Sequence, residues 1–455
     1  MNQFVNFPLK ERSRLPRPEG QWLLGHGLEL QRQGILECAR HYQETCGDIY
    51  EISIGMQRMI ILTHPAYVRH VIHDNHENYV KGLGYSVMSI LLGNGLLTID
   101  GDLWQQQRRI CQPAFSRQTL YGLVPSMVSE AESLAQRWES LYNQQQPVEM
   151  TKEMLDVTMR IAAKCLFGSD VERFCNTVGT AMEQIYEIGM RRFFSPIRPP
   201  MWVPTPTNLF FRRLARQVEE LIQEFIHRRS EKGRLDNDLL SHLMAARDEK
   251  DGRPMTERQL RDESMTFFVA GHETTATAMS WTWYLLSQHP KVEERLLAEL
   301  EEVLGERSPT DKDLPYLKYT HQVILESLRL FPPAWVVGRM PLEDDVIDGY
   351  RIPCGSNILF FVPALHRHPD FWQTAEQFDP DRFAMDRERP QPGAYLPFGT
   401  GYRSCIGREF AEMEMKILLA VLLRRFRPRM CEGQKVVPDP GFTLRLKYGL
   451  KMLLK

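Results

Sequence analysis

The sequence has little net charge of either sign. Lysine and arginine number 56 and aspartate and glutamate 58, so the formal charge of the 455 residues is −2 at pH 7. Phosphate contacts dominate the affinity of nucleic-acid binders, which therefore carry a marked positive balance. We expect no nucleic-acid partner. Hydrophobic residues at 43% and charged residues at 25% are ordinary for a globular chain and exclude a disordered protein.

Cysteine is sparse, and long apolar runs are absent. Eight cysteines are too few in 455 residues for a disulfide scaffold, and they contain no CxxC pair, so a zinc ribbon has no local support. The longest uninterrupted apolar run that we find, Ile417 to Leu423, is far shorter than the ~18 residues that span a bilayer. The first twenty residues have no apolar core of a signal peptide. We expect a cytoplasmic protein with reduced thiols and no transmembrane anchor.

Apolar residues at helical spacing dominate what the chain does contain. They predict helix from about Leu120 to Phe167 with a break near Asn143 to Pro147, and again over 256–305 with a fresh start at Pro290. A further helix is predicted from about Ile406 to Arg425. Alternating residues predict a β-hairpin between Asp48 and Leu62.

Other segments lack a clear period. Five prolines exclude helix between Pro196 and Pro206, and residues 343–400, rich in proline, glycine and aspartate, are predicted to be irregular. β-like segments follow Val436. No repeat or linker divides the chain, so we expect one domain over residues 1–455, mainly α with small β-sheets.

A glycine-rich loop, Phe398 to Gly407, delivers a single cysteine, Cys405, to the start of a predicted helix. The partial positive charge and free amides of a helix N-terminus lower the pKa of a thiol. A lone thiolate suggests one axial bond to a metal held elsewhere, as in haem. Glycines would let a flat macrocycle approach the backbone, and Arg403 could pair with a haem propionate. The alternative is a buried cysteine in a tight turn.

The longest predicted helix, about Thr256 to Gln288, carries unusual residues in its middle, AGHETTAT from position 270. Gly271 costs about 1 kcal/mol relative to alanine in a helix, and threonine hydroxyls can bond the carbonyl four residues back. Such a run is easier to understand if a ligand needs the space. Glu273 beside Thr274 can relay protons from solvent. The alternative is a threonine-rich patch on an amphipathic helix.

Both segments resemble motifs of the cytochrome P450 family, the haem-thiolate monooxygenases. Residues 398–407 match FxxGxRxCxG, and residues 270–275 match AGx[D/E]T[T/S]. The resemblance implies that Cys405 is the axial ligand of haem iron and that Thr274 and Glu273 are catalytic. Thr274 would hydrogen-bond dioxygen, and Glu273 would help to deliver protons for cleavage of its O–O bond. The residues that would contact the haem or leave room above it are Ala270, Gly271, Phe398, Arg403 and Gly407.

The resemblance extends to weaker motifs in the family's order. Glu326 and Arg329 match ExxR, and Arg382 in the PDRF segment fits a PERF-like motif in which Asp381 replaces glutamate. The family implies a buried triad of Glu326, Arg329 and Arg382 behind the cysteine loop, although most Glu-x-x-Arg pairs are surface contacts. Trp104, Arg108 and Arg339 would bind haem propionates; the alternative is an ordinary amphipathic face. We interpret His272, His366 and His368 as structural.

The resemblance implies the P450 fold, with a long central helix crossing haem b. It implies hydroxylation or epoxidation of a lipophilic substrate, with a leaning to a fatty acid or terpenoid, by O2 and electrons ultimately from NAD(P)H. Only about 50 residues follow the cysteine loop, too few for a fused reductase, so a separate ferredoxin or flavodoxin-type partner and a monomeric enzyme are expected. The rivals are an isomerase or peroxygenase that uses no external electrons, and a non-catalytic haem sensor or lipid-binding protein.

Family position and apolar character suggest pocket residues, which are alternatively plain core: Phe267, Ala270, Trp335, Val336 and Phe442. The region Phe193 to Phe211 mixes arginines with aromatic residues. It is either a mobile lid, which the sequence favours slightly, or a surface that contacts a membrane peripherally.

Overall fold

The computed structural model describes residues 14–20, 25–55, 57–82, 84–168, 171–194, 199–232 and 236–455. The chain divides into two compact units, each assembled from segments that are distant in sequence. The first unit consists of Met1–Met88, Ala334–Gln377 and Arg389–Ser404, and the second of Ser89–Pro333, Phe378–Glu388 and Cys405–Lys455. The expectation of one domain over residues 1–455 stays a prediction.

Helix accounts for 56% of the chain, which confirms the mainly α prediction. In chain order the helices of the described residues are α1 (Gly27–Gln33), α2 (Ile35–Cys46), α3 (Pro65–Arg69), α4 (Gly84–Leu92), α5 (Gly101–Cys111), α6 (Arg117–Tyr121), α7 (Val124–Asn143), α8 (Met150–Phe167), α9 (Val171–Phe194), α10 (Pro206–Lys232), α11 (Leu239–Ala245), α12 (Glu257–Gln288), α13 (Pro290–Leu304), α14 (Lys318–Leu330), α15 (Val362–Leu365) and α16 (Arg408–Leu422). Among these described helices none is long and apolar enough to cross a membrane.

The strands are short. They are β1 (Ile49–Ile54), β2 (Gln57–Leu62), β3 (Tyr79–Lys81), β4 (Val148–Glu149), β5 (Val336–Pro341), β6 (Asp345–Ile347), β7 (Tyr350–Ile352), β8 (Asn357–Phe361), β9 (Arg429–Met430), β10 (Pro438–Pro440), β11 (Leu444–Leu446) and β12 (Lys451–Leu453). In the first unit the strand order is β1-β2-β8-β5-β3, beside a separate β6–β7 pair. The second unit holds β4-β12-β9 and β10-β11. The antiparallel pairing of Ile54 with Gln57 confirms the predicted hairpin.

The prediction that residues 343–400 are irregular is wrong for β6, β7, β8 and α15. β8 lies between β2 and β5 and has no exposed residue, so its sequence is a short apolar run without the alternation of a half-exposed strand. β6 and β7 are joined by Asp348 and Gly349, with φ of 51° and 77°. Aspartate followed by glycine is the sequence that a tight two-residue hairpin turn requires, and it could have predicted this pair.

The long helix α12 forms as its sequence predicts. The Thr256 hydroxyl accepts a hydrogen bond from the Gln259 N–H at 3.3 Å, and the Gln259 side chain accepts one from the Thr256 N–H at 2.9 Å. This reciprocal cap fixes the start of the helix. At the other end His289 is followed by Pro290, which begins α13. α12 packs against α8, α10, α14 and α16 in the core of the second unit.

Candidate active site

A half-buried stripe runs along α12. Phe267, Ala270, Gly271 and Thr274 are half-buried, whereas every other residue between Asp262 and Trp283 is buried. Spacings of three and four place the four residues on one face of the helix. Apart from the backbone of its own helix and its chain neighbours, a Cβ added at Gly271 would meet no atom of the described residues within 4 Å. The stripe therefore borders open space, which suits a bound group beside the helix.

The Thr274 hydroxyl is held on this stripe by its own helix. It donates a hydrogen bond to the Ala270 carbonyl at 2.6 Å, the bond to the carbonyl four residues back that threonine favours. Its hydrogen is therefore engaged, while its lone pairs can accept a hydrogen bond from another group.

Glu273 lies on a different side of α12 from Thr274, since adjacent helical residues project about 100° apart. Its carboxylate is only 1% exposed and accepts a hydrogen bond from the Thr443 hydroxyl at 3.0 Å. The Arg445 Nε lies 3.6 Å from the same oxygen. Sequence reasoning missed Thr443 and Arg445, because no local pattern relates the β10–β11 hairpin to α12.

Cys405 lies two residues before Gly407, the residue that caps α16. The Cys405 side chain has exposed surface, and the protein atoms around it nevertheless desolvate the sulfur. Burial raises the pKa of the thiol, opposed by the Gly407 N–H and by the charges of Arg108 and Arg408. The expectation of a lowered pKa is therefore wrong for the protein alone, because desolvation outweighs the helix end and the cations.

The surroundings of Cys405 fit haem iron. The sulfur is exposed and already accepts an N–H hydrogen bond, which supports a thiolate ligand. A Cβ at Gly407 would lie 3.9 Å from the sulfur, an ordinary van der Waals distance, so the loop backbone lies close beside the sulfur. The positive charge of a bound iron would counter the desolvation that raises the pKa of the thiol.

An apolar cluster connects Cys405 with α5 and α12. Trp104 packs with Leu96 and Ile99, and Phe267 and Ile406 pack against these residues. Arg108 lies one turn after Trp104 on α5, and burial lowers the pKa of its guanidinium, which the Cys405 sulfur counteracts. A partly desolvated cation near the sulfur suits an anionic group such as a propionate.

The structure brings Glu326, Arg329 and Arg382 together. Glu326 and Arg329 have no exposed surface, and the Arg329 Nε and Nη2 donate to the two Glu326 oxygens at 2.7 and 2.8 Å. The Arg382 Nε and the Asp379 N–H donate to the same carboxylate at 3.3 and 2.9 Å. Asp381 instead pairs with Arg295 at the surface, at 2.8 Å, so the aspartate that departs from the PERF-like pattern lies outside this cluster.

The remaining predicted site residues are divided between the units. Phe267 and Phe442 belong to the second unit. The ring centroids of Phe267 and Phe115 lie 4.8 Å apart, and Phe442 is half-buried and follows β10. Those of the first unit are Trp335, Val336, Arg339, Phe398 and Arg403. Arg339 is 8% exposed on β5 and donates to the Gly338 carbonyl at 2.8 Å. Arg403 is half-buried and donates to the Tyr402 hydroxyl at 3.2 Å.

The histidines fit the structural reading. His272 stacks on Phe268 at 5.1 Å, and burial lowers its pKa to about 4. His366 accepts the Leu396 N–H at 2.7 Å. His368 Nε2 lies 3.2 Å from Asp48, beside His64.

These two neighbouring histidines are poorly suited to bind a metal with Asp48. His64 and His368 each accept a backbone N–H at Nδ1, at 3.1 and 3.2 Å. A neutral imidazole with a lone pair at Nδ1 carries its proton at Nε2, so Nε2 has no lone pair for an ion.

Comparison with known proteins gives the family. The cytochrome P450 family model matches residues 15–452, and the chain belongs to the cytochrome P450 family. It is 35% identical to cyclooctatin synthase of Streptomyces melanosporofaciens, covering 94% of this chain and 92% of that protein. It is 33% identical to cyclooctat-9-en-7-ol 5-monooxygenase of the same organism, covering 93% and 89%.

A solved structure agrees with this assignment. The crystal structure of cytochrome P450DA heme domain superposes with a TM-score of 0.88 at 26% identity and covers 97% of both chains. The predicted P450 fold is therefore confirmed. The protein is an oxidoreductase of a family that uses haem and dioxygen for monooxygenation.

Proposed function

We propose that the protein inserts one oxygen atom from O2 into a lipophilic terpenoid, with electrons ultimately from NAD(P)H through a separate ferredoxin or flavodoxin-type partner. The observation that carries this proposal is the half-buried stripe of α12, which places Thr274 and the open side of Gly271 on one face. A terpenoid is favoured over a fatty acid because cyclooctatin synthase and its companion monooxygenase are terpenoid-related relatives. The enzyme is proposed to act as a monomer in the cytoplasm.

The roles of the residues follow the family resemblance. Cys405 would bind the haem iron, Phe398 and Gly407 would contact the macrocycle, and the propionates would be held by Trp104, Arg108, Arg339 and Arg403. When bound, the haem supplies the chemistry that activates dioxygen.

The protein would hold the substrate in place, exclude water from the site and deliver protons. Thr274 would accept a hydrogen bond beside the reacting oxygen, and Glu273 would carry protons toward it. The apolar side chains of Phe267, Ala270, Trp335, Val336 and Phe442 would exclude water and hold the substrate. The cluster of Glu326, Arg329 and Arg382 would stabilise the chain behind Cys405.

We also propose peripheral contact with a membrane through residues 199–216, which comprise the later part of the Phe193–Phe211 region and the helical turn that follows it. Trp202, Leu209 and Phe210 are 78%, 51% and 45% exposed. Asn208 is buried and donates to the carbonyls of Pro200 and Val203 at 3.0 and 2.9 Å, which fixes the Trp202 segment on the first turn of α10. Three exposed arginines follow on the same helix, Arg212, Arg213 and Arg216. Residues 195–198 lie outside the described residues.

The axial ligand is tested with Cys405→Ser, with Cys354→Ser as the matched control because Cys354 is also exposed. Wild type and the control should give a strongly red-shifted Soret band in the reduced carbon monoxide complex, and Cys405→Ser should lose it. A red-shifted band that persists in Cys405→Ser contradicts the role of Cys405.

The substrate class is tested by spectral titration of the oxidised protein with terpenoids and with fatty acids of several chain lengths. A terpenoid should shift the Soret band at lower concentration than any fatty acid, and turnover should require reductant and O2. Turnover with peroxide alone would instead favour the peroxygenase.

A further inference from the structure

A chain of polar contacts leads from the protein surface to the Glu273 carboxylate. Arg445 is 34% exposed and its Nε lies 3.6 Å from the Glu273 Oε1. The same oxygen accepts the Thr443 hydroxyl at 3.0 Å, and the Thr443 and Thr277 hydroxyl oxygens lie 3.0 Å apart. Thr443 and Glu273 are each 1% exposed. Arg445 therefore connects this buried carboxylate with solvent.

The β10–β11 hairpin is fixed firmly enough to position these side chains. The Trp281 Nε1 of α12 donates to the Leu444 carbonyl at 2.7 Å, and the Leu444 N–H donates to the Pro333 carbonyl at 3.0 Å. Thr443 and Arg445 flank Leu444 and thus have their backbone set by both bonds. The guanidinium of Arg445 also packs over Gly441, where an added Cβ would lie 3.4 Å from its Nη2.

The hairpin engages a different side of α12 from the half-buried stripe. Glu273, Thr277 and Trp281 follow one another at intervals of four residues and share a face that contacts Thr443 and Leu444. Phe267, Gly271 and Thr274 share the stripe. A proton that enters beside Arg445 would thus reach Glu273 without passing along the stripe.

We propose that Thr443 and Arg445 are positioning residues that hold the Glu273 carboxylate on the hairpin side of α12, where it is reloaded with protons from solvent. The inference rests on the proposed function of Glu273 as a proton carrier. Arginine does not release its own proton, so Arg445 acts through its charge.

The proton balance is simple. In each proton transfer the Glu273 carboxyl gives up one proton toward the Thr274 side and becomes a carboxylate, and monooxygenation needs two such protons for each O2. Arg445 and the Thr443 hydroxyl then hold that carboxylate until one solvent proton binds it again. No net charge accumulates on the hairpin.

Other titratable groups lie on the elements packed against α12, and they face residues other than Glu273. Glu414 of α16 faces Thr275, and Cys165 of α8 is close to that acid. Glu326 and Arg329 of α14 bind each other. His272 stacks on Phe268. Arg445 is a cation that the structure places against Glu273, with its Nε 3.6 Å from the carboxylate.

The test follows the carboxyl C=O stretch of Glu273 by infrared spectroscopy of the ferric holoenzyme without substrate, isolated by difference against Glu273→Gln. Arg445→Met should raise the midpoint of this titration by about one to three pH units, because a nearby cation lowers the pKa of a carboxyl by that amount. Thr443→Val should raise it less, and Arg445→Lys should restore it. Lys447→Met, which removes an exposed cation of the same hairpin, should leave it unchanged.

A midpoint in Arg445→Met equal to that of wild type overturns the proposal, and so does an equal shift in Lys447→Met. The proposed function is tested separately, by the product formed per electron pair in Glu273→Gln. If that ratio stays at the wild-type value, Glu273 is not the proton carrier. The infrared midpoints still report whether Arg445 and Thr443 hold its carboxylate.

Discussion

Glu414 lies on the apolar face of α16, fully buried among hydrophobic residues, and faces Thr275 of α12. Burial raises the pKa of its carboxyl well above the usual range, because desolvation disfavours the charged form. The sequence contained a signal for it, since Glu414 shares the helical face of Phe410 and Val421. A carboxyl at such a position in an apolar helical pattern is expected to be buried and to have a raised pKa.

We predict that Glu414→Gln makes stability less dependent on pH. Because the pKa of Glu414 is raised on folding, its contribution is fully present below the unfolded pKa and is lost as pH rises toward the folded pKa. One such proton gives a slope of about 1.4 kcal/mol per pH unit in the free energy of unfolding. Urea unfolding at several pH values above about 5 measures it.

Glutamine keeps the shape of Glu414 without the charge, so the variant should also be more stable than wild type at neutral pH. Glu432→Gln, at an exposed site, is the control and should keep the wild-type slope. Parallel curves for wild type and Glu414→Gln would contradict the prediction.

Single residues differed in how far the sequence could predict them. Glu326 and Arg329 are three apart on one helix, so their contact follows from local geometry. Thr443 is 170 residues from Glu273, and their contact depends on where the β10–β11 hairpin docks. The pKa of the Cys405 thiol is raised, whereas the sequence predicted that it is lowered. The sequence could not show this, because desolvation is set by residues that the folded chain brings together.

At the scale of elements, α14 is connected to the PDRF turn by one buried carboxylate. Arg329→Met should lower the free energy of unfolding by about 3–5 kcal/mol, because it leaves Glu326 buried with only part of its compensation. The matched control is Arg295→Met, whose ion pair with Asp381 is exposed and should contribute at most about 1 kcal/mol.

Chemical denaturation of both variants, with haem content measured alongside, checks the comparison. Equal losses of stability would show that the Glu326 cluster is no more important than a surface pair. We expect Arg329→Met also to lose haem, since the PDRF turn and Cys405 both belong to the second unit.

Helices were predicted better than strands, for a physical reason. α7, α8 and α12 each bury one or more faces at a regular period, which the sequence displays directly. β8 has no exposed residue, and after Asn357 its sequence is apolar throughout, so it shows no alternation of apolar and polar residues. A short apolar run of this kind is indistinguishable from loop or helix until its partners are known.

At the scale of the whole molecule, the exposed aromatic residues near the start of α10 predict binding to lipid. Wild type should co-sediment with vesicles that contain anionic lipid, because arginines attract the headgroups and aromatic rings enter the interface. Replacing both Trp202 and Phe210 by glutamine should weaken binding about tenfold or more.

The control replaces Tyr316 and Tyr448 by glutamine, since both rings are more than half exposed elsewhere in the second unit. It should bind as wild type does. Binding that is absent in wild type, or unchanged in the Trp202 and Phe210 variant, would favour the mobile lid. Vesicles without anionic lipid show whether the arginines contribute.

The division of the chain into two units was beyond the sequence. Each unit combines three separate segments, and no linker marks the crossings at Met88, Pro333 or Ser404. The motifs nonetheless identified the family, because its chemistry requires particular residues at a fixed spacing. The fold then followed from the family more than from local patterns.

One pairing has a consequence for synthesis on the ribosome. β12, close to the C-terminus, pairs with β4, and the Leu450 N–H donates to Glu149, 301 residues earlier. At about 5–20 residues per second, β4 waits roughly 15 to 60 s for its partner. β4 therefore stays without its partner during that time, and a chain truncated before Lys451 lacks the strand that joins β4 to β9.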